Sequence, residues 1–175
     1  MLDTVGTLAR LGLAAVWLVS GGLKLADPGQ TYVAVQAYDV LPRGLVGVVA
    51  TALPLLELVL GLLLLAGLAT RYAAGAALVL LAVLIAGIAQ VWARGLSIDC
   101  GCFGGGGSVS AGQTEYPQEI LRDTGFALLA VWLVVRPRTW FSLDGWLGWG
   151  QGKVSGPGNS AGPADDYSTS IVEGK

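Results

Sequence analysis

Both cysteines of the 175-residue chain fall in one stretch, Cys100-Gly101-Cys102-Phe103-Gly104, which runs on into Gly105, Gly106 and Gly107. Two thiols one residue apart can do thiol–disulfide chemistry. Their Cα atoms reach the ~4.4–6.8 Å that a disulfide needs only on a tightly bent backbone, and Gly101 permits the bend. The small ring so closed is strained, and strained disulfides are more oxidising and exchange more readily. Residues 104–107 offer a partner protein close access to the backbone. Arg94 is the nearby cation that could favour a thiolate, while Asp99 opposes it. A closed zinc site takes four nitrogen or sulfur ligands, and the chain has no histidine, so no metal is assigned; a transient metal–thiolate role is the lesser reading. The bland alternative is a pair of inert buried thiols.

The rest of the chain must position this pair, and its composition says in what solvent. Of its residues 54% are hydrophobic and 13% charged, against about 25% charged in an ordinary soluble domain. Low charge of this degree suits a protein whose outer surface faces lipid. A net charge of −2 gives no basic field for nucleic acid. Four apolar stretches are long enough to cross a ~30 Å hydrocarbon core: residues 5–25, 45–68, 73–93 and 118–135. The expected fold is therefore all-α, an integral membrane four-helix bundle with the Cys-Gly-Cys loop between helices 3 and 4. The first stretch reads as a retained helix rather than a removed signal peptide, because no convincing small-residue cleavage site follows it. Residues 31–43 form a polar-aromatic connector, a short interfacial helix or a surface loop, with Tyr32 and Tyr38 at the depth of an aromatic belt. Pro54 is expected to kink the second span. Residues 1–139 make up the transmembrane domain, 140–150 an interfacial aromatic segment, and 151–175 a polar tail expected to be disordered.

Ionisable groups inside a span are costly and are functional candidates by default. Glu57, near the middle of the second span, is the foremost, followed by Arg10, Arg122 and Asp123. Glu57 divides evenly between a proton-relay or ligand role and a structural one, satisfied by an arginine of another helix or by backbone freed at Pro54. Arg10 can snorkel to the headgroups. With four spans, Arg10, Arg71, Arg136 and Arg138 lie on one side, and Lys24, Arg43, Arg94 and Arg122 on the other. The lysines of the tail tip the count towards cytoplasmic termini. That sets the cysteine loop outside the cytoplasm, where disulfides persist.

Three elements together carry a family resemblance: Ser20-Gly21-Gly22-Leu23-Lys24-Leu25-Ala26-Asp27-Pro28, Pro54-Leu55-Leu56-Glu57, and Cys100-Gly101-Cys102-Phe103-Gly104. Over residues 5–135 the chain resembles the MauE family within the DoxX-like membrane proteins. The resemblance implies thiol–disulfide electron transfer at the cell (inner) membrane of a bacterium, beside an extracytoplasmic thioredoxin-like partner and in support of disulfide formation or protein maturation. It implies Cys100 and Cys102 as the redox pair, with Gly101, Phe103 and Gly104 as the supporting loop and Lys24 and Asp27 as matched polar positions. It does not carry methylamine metabolism over to this chain. An oxidoreductase with one cysteine pair needs a second redox partner, and a quinone between the helices near the loop is the candidate. Two other readings stay open: a non-enzymatic assembly or anchoring subunit with a structural disulfide, and a small-solute transporter, which four short spans without a repeat disfavour.

Overall fold

The computed structural model describes residues 2–110 and 114–136. The interfacial segment at 140–150 and the tail at 151–175 lie outside the described residues. Five helices account for most of the rest: α1 (Leu2–Ala26), α2 (Pro28–Ala37), α3 (Arg43–Ala66), α4 (Thr70–Ala93) and α5 (Tyr116–Val135). A two-residue antiparallel ribbon, β1 (Ile98–Asp99) with β2 (Gly107–Ser108), lies between α4 and α5 in register Ile98↔Ser108 and Asp99↔Gly107.

Helices α1, α3 and α4 are each long and apolar enough to cross a membrane. Their packed sides recur at helical spacing: Leu13, Ala14 and Trp17 on α1, Leu60 and Leu64 on α3, Ala73, Ala77 and Leu81 on α4, joined by Ala130 and Leu133 of α5 in one core. Their other sides are equally apolar and lie open, with Leu8, Val48, Leu62 and Val79 all more than half exposed. A contiguous apolar exterior of this kind requires lipid rather than water around it. The protein is a membrane protein.

Helix α1 packs along α3, and α4 along α5. The α1–α3 contact is close because of Gly21: a Cβ there would meet the Pro54 carbonyl oxygen at 2.9 Å and Glu57 Cβ at 3.2 Å. Helix α3 runs unbroken through Pro54.

The connector after α1 is helical from its start. Pro28 takes the first turn of α2, where its missing N–H costs nothing. The Asp27 carboxylate caps that turn by accepting from Gln30 N at 2.9 Å. Asp27→Ala should cost about 1 kcal/mol, seen as a lower melting temperature in detergent. Tyr38, expected in the aromatic belt, instead turns inward. Its ring closes on Gly87 of α4, and its hydroxyl donates to the Cys100 carbonyl at 3.2 Å.

Candidate functional site

The cysteine loop is pinned at its base and folded back on α2. The β1–β2 ribbon closes the base. Tyr116, at the start of α5, accepts from Ile98 N at 2.8 Å and donates to the Leu96 carbonyl at 2.7 Å, which ties the loop's entry to that helix. Inside the loop the Asp99 carboxylate accepts from Gly101 N at 3.0 Å. Gly101 has φ +68°, and a Cβ on it would stand 2.9 Å from Ala34 Cβ on α2. Gly106 presses on the same Ala34, and the Gln30 side chain donates to its carbonyl. Gly101, Gly106 and Gly107 are thus packed against α2, whereas Gly104 and Gly105 are exposed.

Cys100 and Cys102 are both thiols and both buried, 8% and 7% exposed. They share a second apolar core with Ile88, Val91, Ile98 and Tyr116. Their side chains are hydrogen-bonded neighbours. That bond, burial, the charge of Cys102 and the nearby Glu119 carboxylate push the Cys100 thiol well above the usual range. The Tyr38 phenol is pushed up as well, first by burial and then by the charges of Cys102 and Cys100.

Beneath the loop the matched polar positions of α1 and α3 meet. The Lys24 ammonium lies 2.8 and 2.9 Å from the two carboxylate oxygens of Glu57, 2.6 Å from Ser20 Oγ and 3.3 Å from the Cys102 carbonyl oxygen. Its three N–H donors all find acceptors. Ser20 Oγ stands 2.6 Å from the same carbonyl and 3.0 Å from Glu57 Oε2, and its single hydrogen serves one of these at a time. Glu57 is fully buried and Lys24 is 9% exposed. Glu57 therefore has an ion-pair partner on another helix, but a lysine rather than an arginine, and the pair's spare donors hold the cysteine backbone. Both cysteine carbonyls are gripped by side chains, Cys100 by Tyr38 at the end of α2 and Cys102 from α1.

Ser20 was not singled out by the sequence reading. Its signal was the four-residue spacing to Lys24, which sets both on one helix face.

The other ionisable candidates separate. Arg10 is 2% exposed and lies within the protein, so it does not snorkel to the headgroups. Arg122 pairs with its neighbour Asp123 at 3.0 Å, lies over the Phe103 ring at 4.9 Å and brings Nη2 to 4.0 Å from Cys100 Sγ. The cation beside the thiol is therefore Arg122. Arg94 turns away to pair with Asp39 at 2.9 Å. Sequence distance misled here because α5 returns past the loop, while α4 ends facing the α2 terminus.

A small cavity of about 40 Å³, bordered by Lys24, Tyr38, Cys100 and Cys102, abuts the pair. It has room for a water or two, not for a quinone ring. On the other side, Asp99, Cys100 and Glu119 bring one oxygen, one sulfur and one oxygen within 4.8 Å of one another. Three such atoms are one short of a closed zinc set, and the Arg122 guanidinium opposes a cation there.

Comparison with curated proteins and with solved structures gives no match. The profile of the family described as methylamine utilisation protein MauE matches residues 2–136. That span takes in Lys24, Glu57, Cys100 and Cys102 and every described helix; the chain belongs to the MauE family.

Proposed function

We propose that this protein is a membrane-embedded thiol–disulfide exchange protein that works with an extracytoplasmic thioredoxin-like partner. The observation that carries the reading is the use of the buried charge. A Lys24–Glu57 pair inside the apolar core, costly in itself, is joined to the Cys102 carbonyl, so the α1–α3 interface sets the position of the cysteine backbone. Helix α5 serves as a fourth span, with Arg122 and Asp123 neutralising each other near its outer end. The termini are cytoplasmic, the cysteine loop is extracytoplasmic, and the membrane is the inner membrane of a bacterium.

In the direction that oxidises the partner, a partner thiolate attacks one sulfur of a Cys100–Cys102 disulfide. A mixed disulfide forms and the other cysteine leaves as a thiolate, which takes up a proton. The partner's second thiolate then displaces the remaining cysteine. Two electrons pass from the partner's dithiol to the pair, and the reverse sequence carries them back. Phe103, 38% exposed at the loop tip, offers an apolar contact for docking.

The burial of both sulfurs favours a second reading, an assembly or anchoring subunit with a structural disulfide. One experiment separates the two. Cys100→Ser and Cys102→Ser variants are expressed in the native host and run on non-reducing gels. Exchange predicts that at least one of them accumulates as a mixed disulfide with a thioredoxin-fold protein. Loss of protein level in both, with nothing trapped, would establish the structural role.

A further inference from the structure

We propose that Glu119 takes the thiol proton of Cys100 and hands it to water in an acidic cleft. The inference rests on the exchange reading above and names the proton acceptor of that same site.

Cys100 is surrounded by protein, so its proton needs a way out. The cavity on the Lys24 side is small and, apart from Lys24, Thr31 and Tyr38, lined by apolar side chains such as Leu53 and Leu84. On the opposite side a cleft of about 310 Å³ is lined by Ile98, Asp99, Val109, Glu115 and Glu119. Glu119 belongs to both places. It lines the cleft, and one of its carboxylate oxygens lies within 4.8 Å of Cys100 Sγ. Its Oε2 is buried and has no hydrogen-bond partner among the described residues. A buried carboxylate oxygen without a donor is costly, and a proton arriving from Cys100 removes that cost.

The surroundings favour Glu119 over its neighbours. Asp99, on β1, already uses Oδ1 to accept from Gly101 N. Asp123, one turn further along α5, is paired with Arg122. Tyr38 of α2 directs its hydroxyl at the Cys100 carbonyl rather than the sulfur. Lys24 of α1 and Glu57 of α3 neutralise each other below Cys102. Arg122 Nη2, 4.0 Å from the sulfur, supports the negative charge that remains once the proton has gone. The bond to Cys102, burial and the bond to the Glu119 side chain hold the proton on the Cys100 thiol, so free thiolate is scarce near neutral pH, and the Glu119 bond marks the carboxylate that the proton meets. The step balances: the S–H bond breaks, an O–H bond forms on Glu119, and the sulfur keeps the electron pair with which it attacks. Glu119 then loses the proton to cleft water.

Internal transfer has a signature that a structural role lacks. The pair S⁻/COOH has the same proton count as SH/COO⁻, so its population does not change with pH between the two titrations. The full chain, reduced in detergent and carrying Cys102→Ser so that one thiol is read, is alkylated with iodoacetamide across the pH range. With Glu119 present, the rate should show a stretch that does not change with pH and a climb above it. With Glu119→Gln it should climb about tenfold per pH unit throughout and lie below the Glu119 protein at the acid end. Glu119→Asp should keep a flat region and Asp99→Asn should leave it in place. Unchanged helical circular dichroism checks each variant's fold.

A tenfold-per-unit climb with Glu119 intact, or a flat region that survives Glu119→Gln, would overturn the proposal. So would faster alkylation on adding a chelator, because the carboxylates would then hold a cation rather than the proton. The measurement needs no partner. A failed trapping experiment with a Glu119-dependent flat region removes the exchange reading alone, and a successful trap with no such region removes Glu119 alone.

Discussion

Glu57→Ala should cost about 3–5 kcal/mol, the range for removing one member of a buried ion pair, and many preparations of it should fail to accumulate. The Lys24 ammonium is left with Ser20 and one carbonyl for company in a largely apolar interior. Thermal melting in detergent against the parent protein reads the loss directly. The informative partner is the double variant Lys24→Met/Glu57→Leu. It removes both charges and fills the space with apolar atoms, and such replacements are often neutral or stabilising. Its melting temperature should return to near that of the parent. Exchange through the cysteines should not return with it, because the Cys102 carbonyl has then lost the ammonium that held it. Recovery of both would mean that the ion pair serves packing only. Recovery of neither would mean that Lys24 has a partner more important than Glu57.

Gly101→Ala is the second large effect. At φ +68° any Cβ is strained, by about 1 kcal/mol, and this Cβ would stand 2.9 Å from Ala34 Cβ and 3.3 Å from the Gly105 carbonyl oxygen. A methyl on a helix backbone cannot swing aside, so the loop must lift off α2, at about 1–3 kcal/mol more. Lifting it changes the angle between the two thiols that flank Gly101. Ala34→Gly gives the methyl room without relieving φ, so the double variant should recover the packing part and leave the backbone part. If Gly101→Ala melts and exchanges like the parent, the tight seat of the loop on α2 has no bearing on either property.

What the sequence could disclose follows a physical division. Length and apolarity are local properties, and the three membrane-capable helices stood out because each is an unbroken apolar run. Helix α5 was also legible, yet it fell short of the others because Glu119, Arg122 and Asp123 crowd its first turns. The Asp27-Pro28 step follows the end of α1 at Ala26 and at the same time caps α2, which begins at Pro28. A capping residue marks a helix start without saying how near the last helix ended.

The site divides in the same way. Lys24, Glu57 and the cysteines were each visible as unusual residues in unusual places, whereas their convergence was not. No periodicity in one helix tells which residue of another faces it, and the partner of Glu57 was sought among the arginines. Gly21, next to Ser20 and three residues before Lys24, marks the close approach of α3, but Gly12 and Gly22 of the same helix face open space, so a glycine alone does not tell which face is crossed. Glu119 escaped notice because an acid in a first helical turn already has an ordinary explanation in the helix dipole.

The bond from Ser20 to the Cys102 carbonyl spans most of the described chain, and this bears on how the protein is made. The loop takes its final form only after α1, α3 and α4 are all in the bilayer, since α1 supplies the grip, α3 neutralises it and α4 delivers the cysteines. Contacts this distant in sequence form late. In the nascent protein the two thiols are therefore on an open glycine-rich tether. Helix assembly, rather than the Cys-Gly-Cys element itself, determines when the two thiols are buried, so a chain delayed in pairing α1 with α3 keeps them open for longer.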